Sequence, residues 1–316
     1  MGESQNLSSY EKGHFPVTEG HRLYYERYGA PGGIPVLYVH GGPGAGFGDD
    51  DKAFFDPEIF DVLLFEQRGA GRSEPFASLE ANHTDALVED ISRLLDAFGI
   101  EKTLLFGGSW GSTLSLVYAI RNPRRVSSML LRGIFLANRA SIEHMVGGGV
   151  AEFFPEVWDR FIGHVPREER GDVSSFYLSQ MCSSDEDVRE RFCYEWARYE
   201  LSLIKLDPAS IDMKDMLEHY NYRSLAPLEA YYMANRCFLA EDYVLRNAER
   251  LVGIPTSIVH GRYDVICPAQ QAYDLHAKLP GSRLHFVLAG HSASETAIRE
   301  KLIGELERFA RDLRGA

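Results

Sequence analysis

The sequence predicts an α/β protein: a mostly parallel sheet covered by helices on both faces, with an all-helical segment inserted late in the chain. Three observations lead there. The runs Pro35 to His40, Val62 to Phe65, Lys102 to Phe106 and Ser128 to Phe135 are short and continuously apolar, as expected of strands buried on both sides. They alternate with stretches of helical apolar spacing through short Gly-rich connections, the pattern of a parallel sheet. From Ala140 to about Asn247 the strand-like runs stop and aromatics are dense, including Phe153, Phe154, Trp158, Phe161, Phe176, Tyr177, Trp196 and Tyr199. Strand-like runs then return. The expected division is a discontinuous core, 1–137 and 248–316, and a helical cap, 138–247.

His21 to Tyr28 alternates and stops at the turn cluster Gly29-Ala30-Pro31-Gly32-Gly33. Pro35 to His40 ends in His40-Gly41-Gly42-Pro43-Gly44, and Val62 to Phe65 runs into Glu66-Gln67-Arg68-Gly69-Ala70-Gly71-Arg72-Ser73. Asp85 to Phe98 places Leu87, Ile91, Leu94, Leu95 and Phe98 on one helical face. Lys102 to Phe106 is the central strand, and Ser112 to Arg121 follows as a helix with Leu114, Leu116, Val117 and Ile120. Beyond the insert, Pro255 to His260 and Leu284 to Leu288 are strands, and a closing helix begins at Glu295.

With 316 residues, 45% apolar and 25% charged, the composition is that of a soluble globular protein. A formal charge of -13 argues against nucleic acid or an anionic membrane as partner, since both require clustered Lys and Arg. Cys182, Cys193, Cys237 and Cys267 are widely spread without zinc-ligand spacing, which suggests a reducing compartment and no structural metal. Met1 to Asn6 lacks the basic and apolar blocks of a signal peptide, and no apolar run is long enough to span a bilayer. A cytoplasmic location is expected.

The chemistry centres on Gly107-Gly108-Ser109-Trp110-Gly111, between the central strand and its helix. Gly-x-Ser-x-Gly at a strand-to-helix turn is the nucleophile elbow of the α/β-hydrolase fold. Small neighbours let strand and helix approach while the serine hydroxyl is lifted clear of the sheet. A serine needs a base, and the base needs an orienting acid, in the chain order Ser, Asp or Glu, His. Asp264 ends the turn after Ser257 to His260, and His291 follows Leu288-Ala289-Gly290. An Asp capping a helix or a surface His would be the plain alternatives, but three such residues in order beyond strand ends point to a triad. For the oxyanion, Trp110 N–H supplies one donor, and the His40 to Gly44 loop supplies the other from Gly42, with Gly41 as the alternative.

Taken together, HGGPG, the QRGAGRS block, FGGSWGSTL, LRGIFL, GRYDVICP and AGHSASE resemble the proline iminopeptidases, nearly end to end from about Gly20. That resemblance implies a serine peptidase with a helical cap, removing N-terminal proline from small peptides without metal or cofactor. It carries over Glu200, in Trp196-Ala197-Arg198-Tyr199-Glu200, and Glu229, in Ala226-Pro227-Leu228-Glu229, as acids holding the substrate's amino group. It also implies Phe135 and Cys267 as lining for the prolyl ring, and sensitivity of Cys267 to thiol reagents. The family's Asp-Gln-Arg-Gly is here Glu66-Gln67-Arg68-Gly69, a departure beside the site. Physically, two close carboxylates under a cap repel each other and lose hydration, and a cationic amine relieves both costs. Solvated helix-surface glutamates are the plain alternative. A carboxylesterase, a broader aminopeptidase or a hydrolase-fold binding protein are the rival readings.

Overall fold

In a computed structural model, residues 7–314 are described, apart from 208, 210, 215, 216 and 218–220; Met1 to Asn6, read above for targeting signals, lies outside them. Eight strands form one sheet: β1 (Glu11–Pro16), β2 (Arg22–Gly29), β3 (Ile34–Val39), β4 (Phe60–Phe65), β5 (Thr103–Ser109), β6 (Val126–Ile134), β7 (Thr256–Gly261) and β8 (Arg283–Val287). Their order across the sheet is β1-β2-β4-β3-β5-β6-β7-β8. The β1–β2 and β2–β4 pairs are antiparallel; every pairing from β4 through β8 is parallel.

Side chains alternate faces along a strand, so each central strand feeds two cores. Leu37, Val39, Leu63, Phe65, Leu105, Leu131 and Ile258 pack on one face, with Leu87, Ile91 and Leu94 of α1 (Thr84–Ala97) and with α2 (Trp110–Arg121). Val36, Val62, Leu64, Leu104, Phe106, Leu130 and Val259 pack on the other, against Ile298, Leu302, Leu306 and Phe309. This double burial explains the continuous hydrophobicity of the runs. It also explains why α2 is buried along all but its last residue: it lies inside the first core, not at its edge.

Between β6 and β7 the described secondary structure is helical: α3 (Arg139–Val146), α4 (Pro155–Gly163), α5 (Val173–Met181), α6 (Glu186–Leu201) and α7 (Tyr222–Ala234), with a few single turns. Asp172 and Asp185 cap α5 and α6 by accepting first-turn backbone N–H groups. The aromatics noted in the sequence form their core: Phe161 stacks on Tyr199 at 4.0 Å between ring centres and on Tyr177 at 4.5 Å, and meets Trp196 edge-on at 5.5 Å. After β7 come α8 (Ala269–Lys278) and α9 (Thr296–Arg314). Among the described residues, no helix is long and apolar enough to cross a membrane.

The sequence reading misses β1. Its EKGHFP run lies at the sheet edge and is half-exposed throughout, so it carries neither strong alternation nor a continuous apolar block.

Candidate active site

The last residue of β5 is Ser109, held at φ 57° and ψ -127°, a conformation that costs a non-glycine residue strain. Its flanking glycines are required by contact. A Cβ on Gly107 would lie 2.4 Å from the Gly111 carbonyl oxygen, and one on Gly111 would lie 2.1 Å from that of Val39. Ser112 Oγ donates to the Ser109 carbonyl at 2.7 Å. Because α2 starts at Trp110, that residue's N–H is one of the first-turn donors without a partner inside the helix.

Beyond β7, Asp264 is buried, its Oδ1 accepting the N–H groups of Ile266 at 3.0 Å and Cys267 at 2.8 Å. Its Oδ2 pairs with His291 Nδ1 at 2.7 Å. Burial pushes the Asp264 carboxyl up, but the opposing pull of His291, His260 and the Cys267 N–H holds it below its usual range. Asp264 is therefore an anion, an acceptor that calls for a hydrogen on the facing His291 Nδ1 and leaves Nε2 turned to other partners. Below them, His260 accepts the Ile134 N–H on Nδ1 at 3.1 Å and donates from Nε2 to the Cys267 carbonyl at 2.8 Å. Burial lowers its pKa and keeps it neutral, a pillar under the Asp264 turn.

The loop expected to supply the second oxyanion donor is locked from beneath. Gln67 donates its backbone N–H to His40 Nε2 and its side-chain amide to the His40 carbonyl, both at 2.9 Å. Its side-chain oxygen accepts the Trp110 indole N–H at 2.8 Å. One glutamine thus ties the HGGPG loop to the elbow. A Cβ on Gly41 would lie 3.4 Å from Ser109 Cβ, and Gly42 has φ +102°. Both glycines line a cavity of about 540 Å³ together with Ser109, His291, Glu200 and Arg132. Glu66, the departure, is also on its wall, where it binds Arg72 Nη2 at 2.6 Å.

Glu200, near the end of α6, and Glu229, in the middle of α7, come together although they are 29 positions apart in the chain. They are 7% and 3% exposed and within hydrogen-bonding reach of each other. Trp196 Nε1 donates to Glu229 Oε2 at 2.6 Å, whereas Glu200 Oε2 has no protein partner. Burial raises both carboxyls, and the Glu200 charge raises Glu229 further, so the pair keeps a proton to higher pH than a solvated glutamate would.

Phe135 and Cys267 are buried, and neither is on the wall of this cavity. Cys267 sits at the Ser109 hydroxyl, but burial pushes its thiol pKa well up. The expected thiol reactivity is thereby corrected: a buried thiol disfavoured as thiolate is a poor target, and Cys182 is the exposed cysteine. Two residues of the LRGIFL run went unread in the sequence. Arg132 Nη1 donates to the His291 carbonyl at 2.8 Å, and Gly133, at φ +52°, passes so close that a Cβ would lie 3.0 Å from His291 Cε1. An arginine and a glycine inside the otherwise apolar run Met129 to Leu136 were the available signal.

The strained serine at a strand end, the His–Asp pair beyond later strands and the helical insert define an α/β hydrolase, and the model of the alpha/beta hydrolase fold family matches residues 34–297. Solved structures agree on the fold: VinJ has a TM-score of 0.67 at 17% identity, covering 97% of this chain and all of that one, and a bacterial membrane phospholipase A has 0.69 at 15%, covering 98% and 88%. Among relatives closer in sequence, a proline iminopeptidase of Xylella fastidiosa (strain Temecula1) is 41% identical over 96% of this chain and 97% of its own. A probable proline iminopeptidase of Leptolyngbya boryana is 40% identical over 96% and 95%, and one of Arabidopsis thaliana 38% over 94% and 79%. The chain belongs to the proline iminopeptidase family.

Proposed function

We propose that this protein is a serine exopeptidase that releases proline from the free N-terminus of small peptides. Glu200 takes the substrate's ammonium, with Glu229 behind it. His291 Nε2 removes the Ser109 proton as Oγ attacks the prolyl carbonyl, and the N–H groups of Trp110 and Gly42 stabilise the oxyanion. His291 returns the proton to the leaving amine, which leaves a prolyl ester on Ser109. Water, deprotonated by the same imidazole, attacks that ester and frees proline. Phe135 and Cys267 back the space for the ring. Residues 138–247 serve as the cap that brings the acids over the nucleophile, and the four free cysteines fit a cytoplasmic setting.

One observation carries the reading: Glu200, 93% shielded from solvent and with its Oε2 lacking a hydrogen-bond partner, is on the wall of the cavity that holds Ser109 and His291. An unpaired buried acceptor of this kind is costly unless a ligand supplies the missing donor and charge. The test compares a prolyl p-nitroanilide with its N-acetyl form, a panel of other aminoacyl anilides and a p-nitrophenyl ester. Turnover is expected only with the free amine and to be highest for proline. Equal rates on free and acetylated substrates, or brisk ester cleavage with no anilide cleavage, would refute the amine clamp and leave an esterase.

A further inference from the structure

The base and the proposed amine clamp lie on different parts of the chain, His291 beyond β8 and Glu200 on α6. A short strap leaving α6 joins them. Leu203 N–H folds back to the Glu200 carbonyl at 2.9 Å, and the next residue, Ile204, offers its carbonyl to two backbone donors of the histidine loop: His291 N–H at 3.0 Å and Ser292 N–H at 2.7 Å. Glu295 closes the joint from the other side. Its Oε1 accepts the Gly290 N–H at 2.8 Å, and its Oε2 accepts the Leu206 N–H at 3.2 Å. A single carboxylate thus grips the residue before His291 and a residue of the strap.

The crossing is tight. A Cβ on Gly290 would lie 2.7 Å from Leu206 N and 2.9 Å from the Lys205 carbonyl carbon, and one on Gly261 would lie 1.8 Å from the Gly290 oxygen. Gly290 is therefore clasped between β7 and the strap, with no room to shift. Glu295 immediately precedes α9, and its own carbonyl accepts the N–H groups of Ile298 and Arg299, both at 3.0 Å. That position favours Ser, Thr, Asp or Asn, whose short side chains cap the helix. Here the longer side chain turns away from α9 to reach Gly290 and Leu206.

We propose that Glu295 is a positioning residue that sets the distance between the base and the amine-binding acid, so that an N-terminal residue held at Glu200 presents its carbonyl to Ser109. This rests on the roles given to His291 and Glu200 above. Its carboxylate touches neither substrate nor reacting atoms; it acts through the Gly290 and Leu206 N–H groups.

Glu295→Ala, Glu200→Gln and the double variant test it in the full chain. Three quantities are read: the melting transition, the rate at which a fluorophosphonate labels Ser109, which needs His291 but no amine, and KM for a prolyl anilide. Glu295→Ala is expected to melt cooperatively, label about tenfold more slowly and show KM raised about tenfold. Glu200→Gln should raise KM and leave labelling unchanged. In the double variant the KM effects should combine to less than their product, because Glu295 reaches the amine through Glu200. Unchanged labelling and KM in Glu295→Ala, loss of only one of them, or fully multiplicative KM effects would overturn the proposal. Should the alanine variant not fold, Glu295→Gln decides: it keeps one acceptor and should fall between wild type and alanine in both readouts, and wild-type values would overturn the proposal. Failure of the underlying reading shows separately, in wild-type protein that is not labelled at Ser109 or that turns over acetylated substrate equally well.

Discussion

Glu200→Gln should move stability and activity in opposite directions, and the size of each follows from the site. In the unfolded chain the Glu200 carboxyl titrates near its ordinary 4.5; in the fold it is raised to about 7, by burial first, with its hydrogen bond to Glu229 pulling weakly the other way. A folded pKa above the unfolded one means that the favourable contribution is present in acid and is lost as pH rises from 4.5 through about 7. At 1.36 kcal/mol per pH unit, that loss is on the order of 3 kcal/mol by pH 8. Glutamine keeps the shape without the charge. The variant should therefore melt several degrees above wild type at pH 8 and at about the same temperature at pH 5. With substrate, the sign reverses. Removing one partner of a buried charge pair costs about 3–5 kcal/mol, so kcat/KM on a prolyl anilide should fall by roughly two to nearly four orders of magnitude. Melting curves at four pH values and steady-state kinetics measure both. A variant no more stable at pH 8, or one within threefold of wild-type kcat/KM, would show that Glu200 is not a strained, waiting carboxylate.

Gly133→Ala should lower kcat roughly ten- to a hundredfold with little change in KM, because the new methyl, at φ +52°, would press on His291 at 3.0 Å from Cε1 and 3.2 Å from Nδ1 while leaving Glu200 untouched. An unchanged kcat would mean that the ring is not held where it stands. Thiol titration of the native protein should react Cys182 alone, with all four cysteines reacting after unfolding, and activity should survive the native reaction. Inactivation in step with labelling of Cys267 would contradict its burial.

The parts of this site that could be read directly are those in which local backbone need and chemistry coincide. Gly107 and Gly111 are glycines because no Cβ fits, and the same contacts raise the Ser109 hydroxyl, so one motif reports both geometry and function. Asp264 and His291 were readable because each follows a strand in the order this sheet imposes. The acids of the cap are different. α6 also carries Glu195, buried as Glu200 is, but bound to Arg160 Nη2 at 2.7 Å, with His164 Nε2 3.3 Å away. Nothing in the spacing tells the paired glutamate from the unpaired one five residues on; only the resemblance selected Glu200, and only the fold brings Glu229 to it. Cys267 was misjudged for the same reason, since solvent access belongs to the fold and not to the residue.

What stayed illegible is the frame that sets distances between such groups. The side chains of His260, Gln67 and Glu295 each meet a backbone group distant in sequence, the Ile134 N–H, the His40 carbonyl and the Leu206 N–H, and a backbone N–H or carbonyl leaves no mark in a sequence. Their placement explains how one site combines two tolerances. Ser109 and Asp264 hang from buried parallel strands, where little can move, and His291, which follows the edge strand β8, is held by its pairing with Asp264. Glu200 hangs from a helix of the insert, and the described contacts that fix it to the base run through Ile204, Leu206 and Glu295. On the function proposed above, the strap would hold the amine's acid at a set reach from the nucleophile while changes elsewhere in the insert alter what fits around the amine. The insert is fastened to the core elsewhere too, by the Ser224 hydroxyl donating to the Gly44 carbonyl at 3.1 Å and the Tyr232 hydroxyl donating to Asn82 Oδ1 at 2.9 Å, so what distinguishes the strap is that it ties the insert to the histidine loop itself.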